Sequence, residues 1–332
     1  MLEPPAAPVY VSTGSLPPPD HVTALVTEAH ELFALVDEGS VSGVYPALAA
    51  VSPGLFGIAV VGTDGGVVAV GDAEVELTLM SVSKPFAFAL VCEELGPDEV
   101  RSRVGVNATG LPFNSLEAIG LGDDGRTNPM VNPGAIATTS LVPGVELEAR
   151  WAVIADGLSR FAGRELALHD DVYRSASESN HVNRAIADLL TSHGRVAGDA
   201  AEALDLYTRQ CALAVTARDL AVMGATLADG GVNPLTGERV VSEETCRHTL
   251  AVMTTAGMYE TSGDWLYDIG LPGKSGIGGG IVTVAPGKGG LGTFSPPLDT
   301  AGNSVRGQLA ARYLSRALGL DLFASEPVGV RD

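Results

Sequence analysis

Hydrophobic spacing in the first third of the chain predicts one helix and one hairpin. Residues 21–38 carry valine, leucine and phenylalanine at helical spacing, which predicts a helix. Residues 55–61 and 67–70 are rich in β-branched side chains and flank the turn sequence TDGG (63–66), which predicts a β-hairpin. The first 22 residues are rich in proline and small side chains, and we interpret them as a flexible tail.

Strand-like patterns return near the C-terminus. WLYDIGL (265–271), GGIVTVA (279–285) and GLGTF (290–294) are each predicted to be strands, with PGKG (286–289) as a hairpin loop. A last helix is predicted at about 303–318, and residues 321–332 form a tail. Strands at both ends with helices between them predict an α+β fold, in which one antiparallel sheet is built from both ends of the chain.

The middle of the chain predicts an inserted helical subdomain, roughly 95–255, within a single domain spanning 23–320. Helices are expected at about 183–192 and 217–229, and a further one is expected after Ser242. Thr216 and Ser242 are the predicted N-caps. Residues 97–180 are predicted to be loop-rich.

Ser81 and Lys84 are the residues with the clearest catalytic potential. They are three apart at the predicted start of an apolar helix, so both side chains would lie on one face. A serine hydroxyl needs a neighbouring base to act as a nucleophile, and a buried lysine can lose its proton and serve as that base. The pair indicates an enzyme that cleaves amides or esters through an acyl intermediate.

Other segments could complete such a site, although each also has a structural interpretation. The glycine-rich segment KSGIGGG (274–280) could bring backbone N–H groups, for instance those of Ser81 and Ile277, to an oxyanion, or it could simply begin a strand. Asparagines in NPMVNPGAI (128–136) and at 183 could bind substrate, hold turns or cap helices. Tyr207 and Tyr259 could relay protons or be packed in the core.

Composition and charge restrict the possible partners. Forty acidic residues against twenty basic ones give a formal charge of −20, which disfavours nucleic acid and anionic membranes. Three widely spaced cysteines are not a disulfide framework, and with six histidines they show no metal-binding spacing. We therefore expect no metal or organic cofactor. The absence of a basic region followed by an apolar run at the N-terminus predicts a cytoplasmic protein.

The ordered segments of the chain resemble the serine-dependent glutaminase family of the β-lactamase/DD-peptidase-like fold. The resemblance covers about 25–318 and rests on seven segments in the same order: SVSKP, FNS, NPMVNPGAI, LADGGVNPLTGERV, AGMYETSGDW, GLPGKSGIGGGI and SPPLDTAGNSVRG. The family implies hydrolysis of L-glutamine to L-glutamate and ammonia without a metal or cofactor, in a dimer or tetramer.

The same resemblance implies roles for individual residues. Ser81 would be the nucleophile and Lys84 its activating partner. Tyr207 and Tyr259 match the family's active-site tyrosines. Residues matched to substrate contacts are Asn132, Asn183 and, through its backbone, Ile277.

The chain also departs from the family pattern at positions around the amino-acid head group. Ala176 stands where the family carries a glutamate, Val182 where it carries an arginine, and Val44 where it carries a tyrosine. Met80 replaces a glutamine before the serine. Glu178 is the candidate for replacing the missing carboxylate. These departures leave two alternatives open: a relative that hydrolyses another small amide or ester, and a non-catalytic ligand-binding descendant.

Overall fold

A computed structural model describes residues 14–122 and 124–325 of the chain. Its strands are β1 (Gly57–Gly62), β2 (Val67–Gly71), β3 (Leu77–Thr78), β4 (Ala214–Val215), β5 (Gly273–Ser275), β6 (Gly280–Ala285) and β7 (Gly289–Phe294). Its helices are α1 (Pro19–Phe33), α2 (Pro46–Ala49), α3 (Ser83–Leu95), α4 (Pro97–Val104), α5 (Asn132–Ser140), α6 (Leu147–Ala162), α7 (Asp170–Ser179), α8 (His181–Ser192), α9 (Ala200–Cys211), α10 (Ala217–Ala228), α11 (Glu243–Ala256), α12 (Ser262–Ile269) and α13 (Val305–Ala317).

The main sheet joins the two ends of the chain, which confirms the predicted fold class. Its strand order is β2-β1-β7-β6-β5, and every neighbouring pair is antiparallel. The predicted hairpin is β1–β2, and PGKG joins β6 to β7. The segment WLYDIGL was predicted as a strand, and that prediction is wrong, because it lies mostly in α12. Gly270, in a left-handed conformation, ends this helix.

Alternate residues of β1 pack into two different hydrophobic clusters. Ile58 and Val60 face the helices α1 and α13, whereas Ala59 and Val61 face α10 and α3. This period of two follows from the pleat of a strand. Every residue of β1 is buried, since helices cover both faces of the sheet.

Glycines in β7 allow α10 to lie directly on the sheet. A Cβ atom added to Gly290 would lie 2.2 Å from the Ala221 carbonyl oxygen, and one added to Gly292 would lie 2.0 Å from that of Ala217. Any side chain at these positions would push the helix away. The glycines that give GLGTF its low β-propensity are therefore the residues that allow the helix to pack closely on the sheet.

The region between the strands is more helical than predicted. Residues 97–180 were expected to be loop-rich, but they contain α4, α5, α6 and α7, so this expectation is wrong. The proline and glycine clusters in this region form the connections and first turns of these helices, as Pro97 and Pro133 illustrate. The predicted caps are confirmed: Ser242 caps α11, and Thr216 and Asp219 form a capping box for α10.

The ends of the described chain also differ in detail from the prediction. Residues 19–22, assigned to the flexible tail, begin α1 with Pro19 in its first turn, a position that suits proline. The rest of the predicted N-terminal tail before residue 14, and residues 326–332 of the C-terminal one, lie outside the described residues. In the described ranges, no helix is both long and apolar enough to span a membrane.

Candidate active site

Ser81 lies at the mouth of a small cavity between the sheet and the helical subdomain. It occupies a short 3₁₀ helix, Met80–Val82, immediately before α3. Pairing of β3 with β4, Leu77 opposite Val215, anchors the approach to this turn. Ser81 is 7 % exposed and lines a cavity of about 120 Å³.

The backbone next to Ser81 is strained. Within the described ranges, only Met80 (φ 45°) and Tyr259 (φ 59°) are non-glycine residues with positive φ. Such conformations are costly and persist where neighbouring contacts hold them. The Ser83 hydroxyl donates to the Met80 carbonyl oxygen at 2.8 Å and accepts from Gln210 Nε2 at 3.2 Å. This network holds the turn that presents Ser81.

Lys84 lies below the cavity and is almost completely buried, at 1 % exposure. Its Nζ donates to Asn132 Oδ1 at 2.6 Å. Burial lowers the pKa of Lys84 to about 7, and the opposing effect of Cys211 is weaker than that of burial. A large fraction of Lys84 is therefore neutral at pH 7 and able to accept a proton.

Three asparagines continue the hydrogen bonding away from Lys84. Asn132, the first residue of α5, donates from Nδ2 to Asn183 Oδ1 at 2.8 Å. Asn183 in α8 donates from Nδ2 to Asn180 Oδ1 at 2.6 Å. The side chain of Asn183 bonds to two other asparagines and does not cap α8, so the interpretation of this residue as a helix cap is wrong.

The hydroxyls of the two tyrosines have different hydrogen-bond partners. The Tyr207 hydroxyl donates to Asn132 Oδ1 at 3.1 Å, and that of Tyr259 donates to the Ser275 carbonyl oxygen at 3.1 Å. Burial raises the pKa of Tyr259 to about 12, against hydrogen bonds with Ser275 and Ser81, and it also raises that of Tyr207. Both hydroxyls are protonated at neutral pH and can donate.

The turn after β5 forms the wall beside Ser81. A Cβ atom added to Gly276 would lie 3.2 Å from the Ser81 nitrogen, so any other residue would crowd the backbone at Ser81. Ile277 lines the cavity. Its N–H has no hydrogen-bond acceptor among the described residues. An unpaired backbone donor beside Ser81 is suited to binding an oxyanion.

Comparison with known proteins places the chain in a family. The family model Glutaminase matches residues 39–323. A Yersinia pestis protein named Glutaminase 2 is 65 % identical over 318 residues, which cover 96 % of this chain and 94 % of the relative. A glutaminase of Colwellia psychrerythraea is 46 % identical over 302 residues, covering 91 % and 97 % of the two chains. The chain belongs to the glutaminase family.

Solved structures agree with this assignment. The structure of the probable glutaminase ybaS superposes with a TM-score of 0.91 at 44 % identity, covering 92 % of this chain and 99 % of that one. A structure of Mglu gives a TM-score of 0.86 at 38 % identity, covering 94 % and 77 %. The resemblance seen in the sequence and the β-lactamase-like fold are both confirmed.

The structure brings most of the predicted glutaminase residues to one place. Ser81 and Ile277 line the cavity together with Asn132, Asn183 and Tyr207, while Lys84 and Tyr259 are buried beside it. Glu178 is different. It is exposed on α7 and is not among the cavity-lining residues.

The four departures from the glutaminase pattern, including Met80, all line the same cavity. Val44, Ala176 and Val182 form an apolar part of its wall, and Tyr45, next to Val44, also lines it. Among the described residues, no aspartate or glutamate lines this cavity. An ammonium group bound there would meet hydroxyl and amide oxygens instead.

Sequence reasoning missed two polar residues of this glutaminase site. Asn180 and Thr208 are buried and line the cavity, and Asn180 Nδ2 donates to Thr208 Oγ1 at 3.0 Å. The spacing of Asn180 and Asn183 could have identified Asn180, since residues three apart lie on the same side of a helical turn. Over the described ranges, no group of three or more histidine, cysteine, aspartate or glutamate side chains is arranged to hold a metal.

Proposed function

We propose that this protein hydrolyses the side-chain amide of L-glutamine to L-glutamate and ammonia, with Ser81 as the nucleophile. The observation that carries the proposal is the buried Lys84, held by Asn132 one helical turn from Ser81 and with a pKa of about 7. A lysine of this kind is a suitable base for a serine hydroxyl.

The first half of the reaction forms an acyl-enzyme. Neutral Lys84 takes the proton of the Ser81 hydroxyl while Ser81 Oγ bonds to the amide carbon of the substrate. The N–H groups of Ser81 and Ile277 stabilise the resulting oxyanion. The intermediate collapses, the C–N bond breaks, and the proton held by Lys84 goes to the departing nitrogen, which leaves as ammonia.

The second half returns the enzyme to its starting state. Water attacks the Ser81 ester, giving up a proton to Lys84, and the tetrahedral intermediate releases the side-chain carboxylic acid as that proton returns to Ser81 Oγ. The acid then loses its own proton to the solvent and becomes glutamate. The protonated Tyr259 hydroxyl donates to the Ser275 carbonyl oxygen and leaves its own oxygen able to accept a hydrogen bond from Ser81. No proton is gained or lost by the protein over one cycle.

Amide groups of the asparagines are suited to the α-carboxylate of the substrate. Asn132 Nδ2 and Asn183 Nδ2 each carry a second N–H, for which the described residues provide no acceptor. Mglu has been solved in an L-glutamate binding form, and that structure superposes on this chain with a TM-score of 0.83 at 39 % identity. That a structural relative binds L-glutamate, the product of the proposed reaction, supports the proposal.

The cellular setting is proposed on separate grounds. The cysteines Cys92, Cys211 and Cys246 are all buried free thiols, which suits the reducing cytoplasm. The family resemblance supports a homodimer or homotetramer. Light scattering on the purified protein would measure the molar mass directly, and a monomer at micromolar concentration would refute that part.

Ammonia release from L-glutamine tests the proposed chemistry. We expect turnover in the wild type, and a loss of more than about a thousandfold in Ser81→Ala. Lys84→Met should lose a comparable amount, since it keeps the length of the side chain but removes the base. Ser102→Ala, an exposed serine on α4, is the matched control and should match the wild type. Retained turnover in folded Ser81→Ala would refute the mechanism.

A further inference from the structure

We infer that Thr208 and Asn180 are positioning residues, which set the direction of a hydrogen-bonded chain that ends at Lys84. The inference rests on the proposed function, since it concerns how Lys84 is kept ready to take the Ser81 proton. Both residues are buried, at 4 % and 5 % exposure.

The chain is anchored at a backbone carbonyl in α9. The Thr208 hydroxyl donates its single proton to the Leu204 carbonyl oxygen at 2.7 Å. It can then only accept from its other neighbour, and Asn180 Nδ2 donates to it at 3.0 Å. This orientation leaves Asn180 Oδ1 facing Asn183.

The orientation of each asparagine amide fixes the orientation of the next one along the chain of hydrogen bonds. Asn183 turns Nδ2 to Asn180 and Oδ1 to Asn132, at 2.6 and 2.8 Å. Asn132 therefore turns Oδ1 toward Lys84 Nζ and the Tyr207 hydroxyl, at 2.6 and 3.1 Å. All the hydrogen bonds from Lys84 to Leu204 run in one direction.

This direction matters most when Lys84 is neutral. A neutral amine has two N–H donors and one lone pair, and the lone pair is what removes the proton from Ser81. Facing Asn132 Oδ1, the amine uses an N–H and keeps its lone pair free. If the amides reversed, Asn132 Nδ2 would donate to that lone pair and make Lys84 a weaker base. The anchored hydroxyl of Thr208 prevents the reversal.

Other ionisable groups around Lys84 stay the same when Thr208 is changed. Cys211 of α9 and Lys274 of β5 are the groups whose charge interacts with that of Lys84, and the Tyr207 ring centroid lies 6.0 Å from Lys84 Nζ. A change in pH dependence after substitution at Thr208 therefore reports the amide chain.

The test is the pH profile of kcat in Thr208→Val, which keeps the shape of the side chain but removes the hydroxyl. We expect kcat to fall about tenfold, because part of the general-base contribution is lost. The acid limb should move about half a pH unit lower, because a donor facing Lys84 favours its neutral form. Thr208→Ser restores the hydroxyl and should restore both values.

Two further variants serve as a control and as a substitute for Thr208→Val. Thr226→Val removes another buried hydroxyl bonded to a carbonyl four residues earlier, in α10, and should leave the profile unchanged. If Thr208→Val does not fold, Asn180→Ala is measured in the same way, because it breaks the same chain one link closer to Lys84.

The outcomes separate this inference from the proposed function. An acid limb that stays in place, with kcat either unchanged or reduced equally at every pH, would overturn the inference. If at the same time Ser81→Ala and Lys84→Met are inactive, the proposed mechanism survives. Turnover retained in Ser81→Ala would instead overturn the mechanism on which the inference depends.

Discussion

Lys84 Nζ lies 2.6 Å from Asn132 Oδ1, although the two residues are 48 positions apart in the chain. The contact gives the buried amine one polar partner without giving it a counter-charge. A carboxylate here would keep the lysine protonated. An amide leaves it free to titrate near neutrality.

Asn132→Asp tests this account of the amide. The new carboxylate would favour the charged form of Lys84 and raise its pKa above the present value of about 7. The acid limb of the kcat profile should therefore move to higher pH. At pH 7, kcat should fall at least about tenfold, because most of Lys84 would be protonated and unable to act as a base. An unchanged limb would contradict the account.

Stability should depend on pH through the same lysine. Its pKa is about 7 in the folded protein and about 10.5 when unfolded, so the unfolded state binds more protons between these values. The free energy of unfolding should therefore rise with pH from 7 to 10.5. Lys84→Met should be more stable than the wild type at pH 7, by as much as several kcal/mol, and the difference should shrink as pH rises. Denaturant unfolding of the wild type and Lys84→Met at pH 7 and pH 10 measures the two free energies of unfolding. A difference between the two proteins that is the same at both pH values would contradict a lowered pKa of Lys84.

Gly276→Ala tests the close contact between the turn after β5 and Ser81. The added methyl group would lie 3.2 Å from the Ser81 nitrogen. It should move the Ile277 N–H away from the oxyanion position and lower kcat roughly tenfold, since small displacements are costly in an active site.

Gly263→Ala in α12 is the matched control, because nothing lies within 4 Å of the added atom. It should show wild-type turnover and equal or greater thermal stability. Equal kinetics for the two variants would show that the turn does not position the site.

Ala176 and Glu178 offer a test of how the substrate ammonium group is met. Ala176→Glu places a carboxylate in the cavity wall and should lower KM for L-glutamine roughly tenfold, by pairing with the ammonium group. It should not lower KM for glutaramate, which lacks that group. Glu178→Gln should change neither value, because Glu178 is exposed outside the cavity. A raised KM for L-glutamine in Glu178→Gln would show that the exposed carboxylate reaches the substrate after all.

The sequence was informative wherever the chemistry depended on local spacing. Ser81 and Lys84 are about one helical turn apart, so their proximity follows from the chain itself. Thr216 and Ser242 show the same for caps, whose signals span only three residues. The antiparallel sheet also followed from β-branched runs at the two ends.

Contacts between distant segments could not be derived in this way. Asn132, Asn183 and Tyr207 were assigned to one site only through the family resemblance, because their meeting requires α5, α8 and α9 to pack together. Glu178 shows that the position of a residue around its helix decides whether the residue faces the cavity. It follows Ala176 by two residues, which is about 200° around a helix. Ala176 is buried in the wall while Glu178 faces outward.

The segment WLYDIGL shows a third kind of limit. Its aromatic and β-branched residues favour a strand, yet Trp265 and Ile269, four apart, bury one helical face and the Trp265 indole donates to the Leu271 carbonyl oxygen. Tertiary packing overrides local propensity here.

The most direct test of the central claim is to find which side chain an electrophilic glutamine analogue labels. Ser81 and Cys211 line the same cavity, but burial raises the pKa of Cys211 and keeps it a thiol of low reactivity. We predict one label per chain, on Ser81, which L-glutamine protects and Ser81→Ala abolishes. A label on Cys211, or none in a protein that turns over glutamine, would contradict the assignment of Ser81 as the nucleophile.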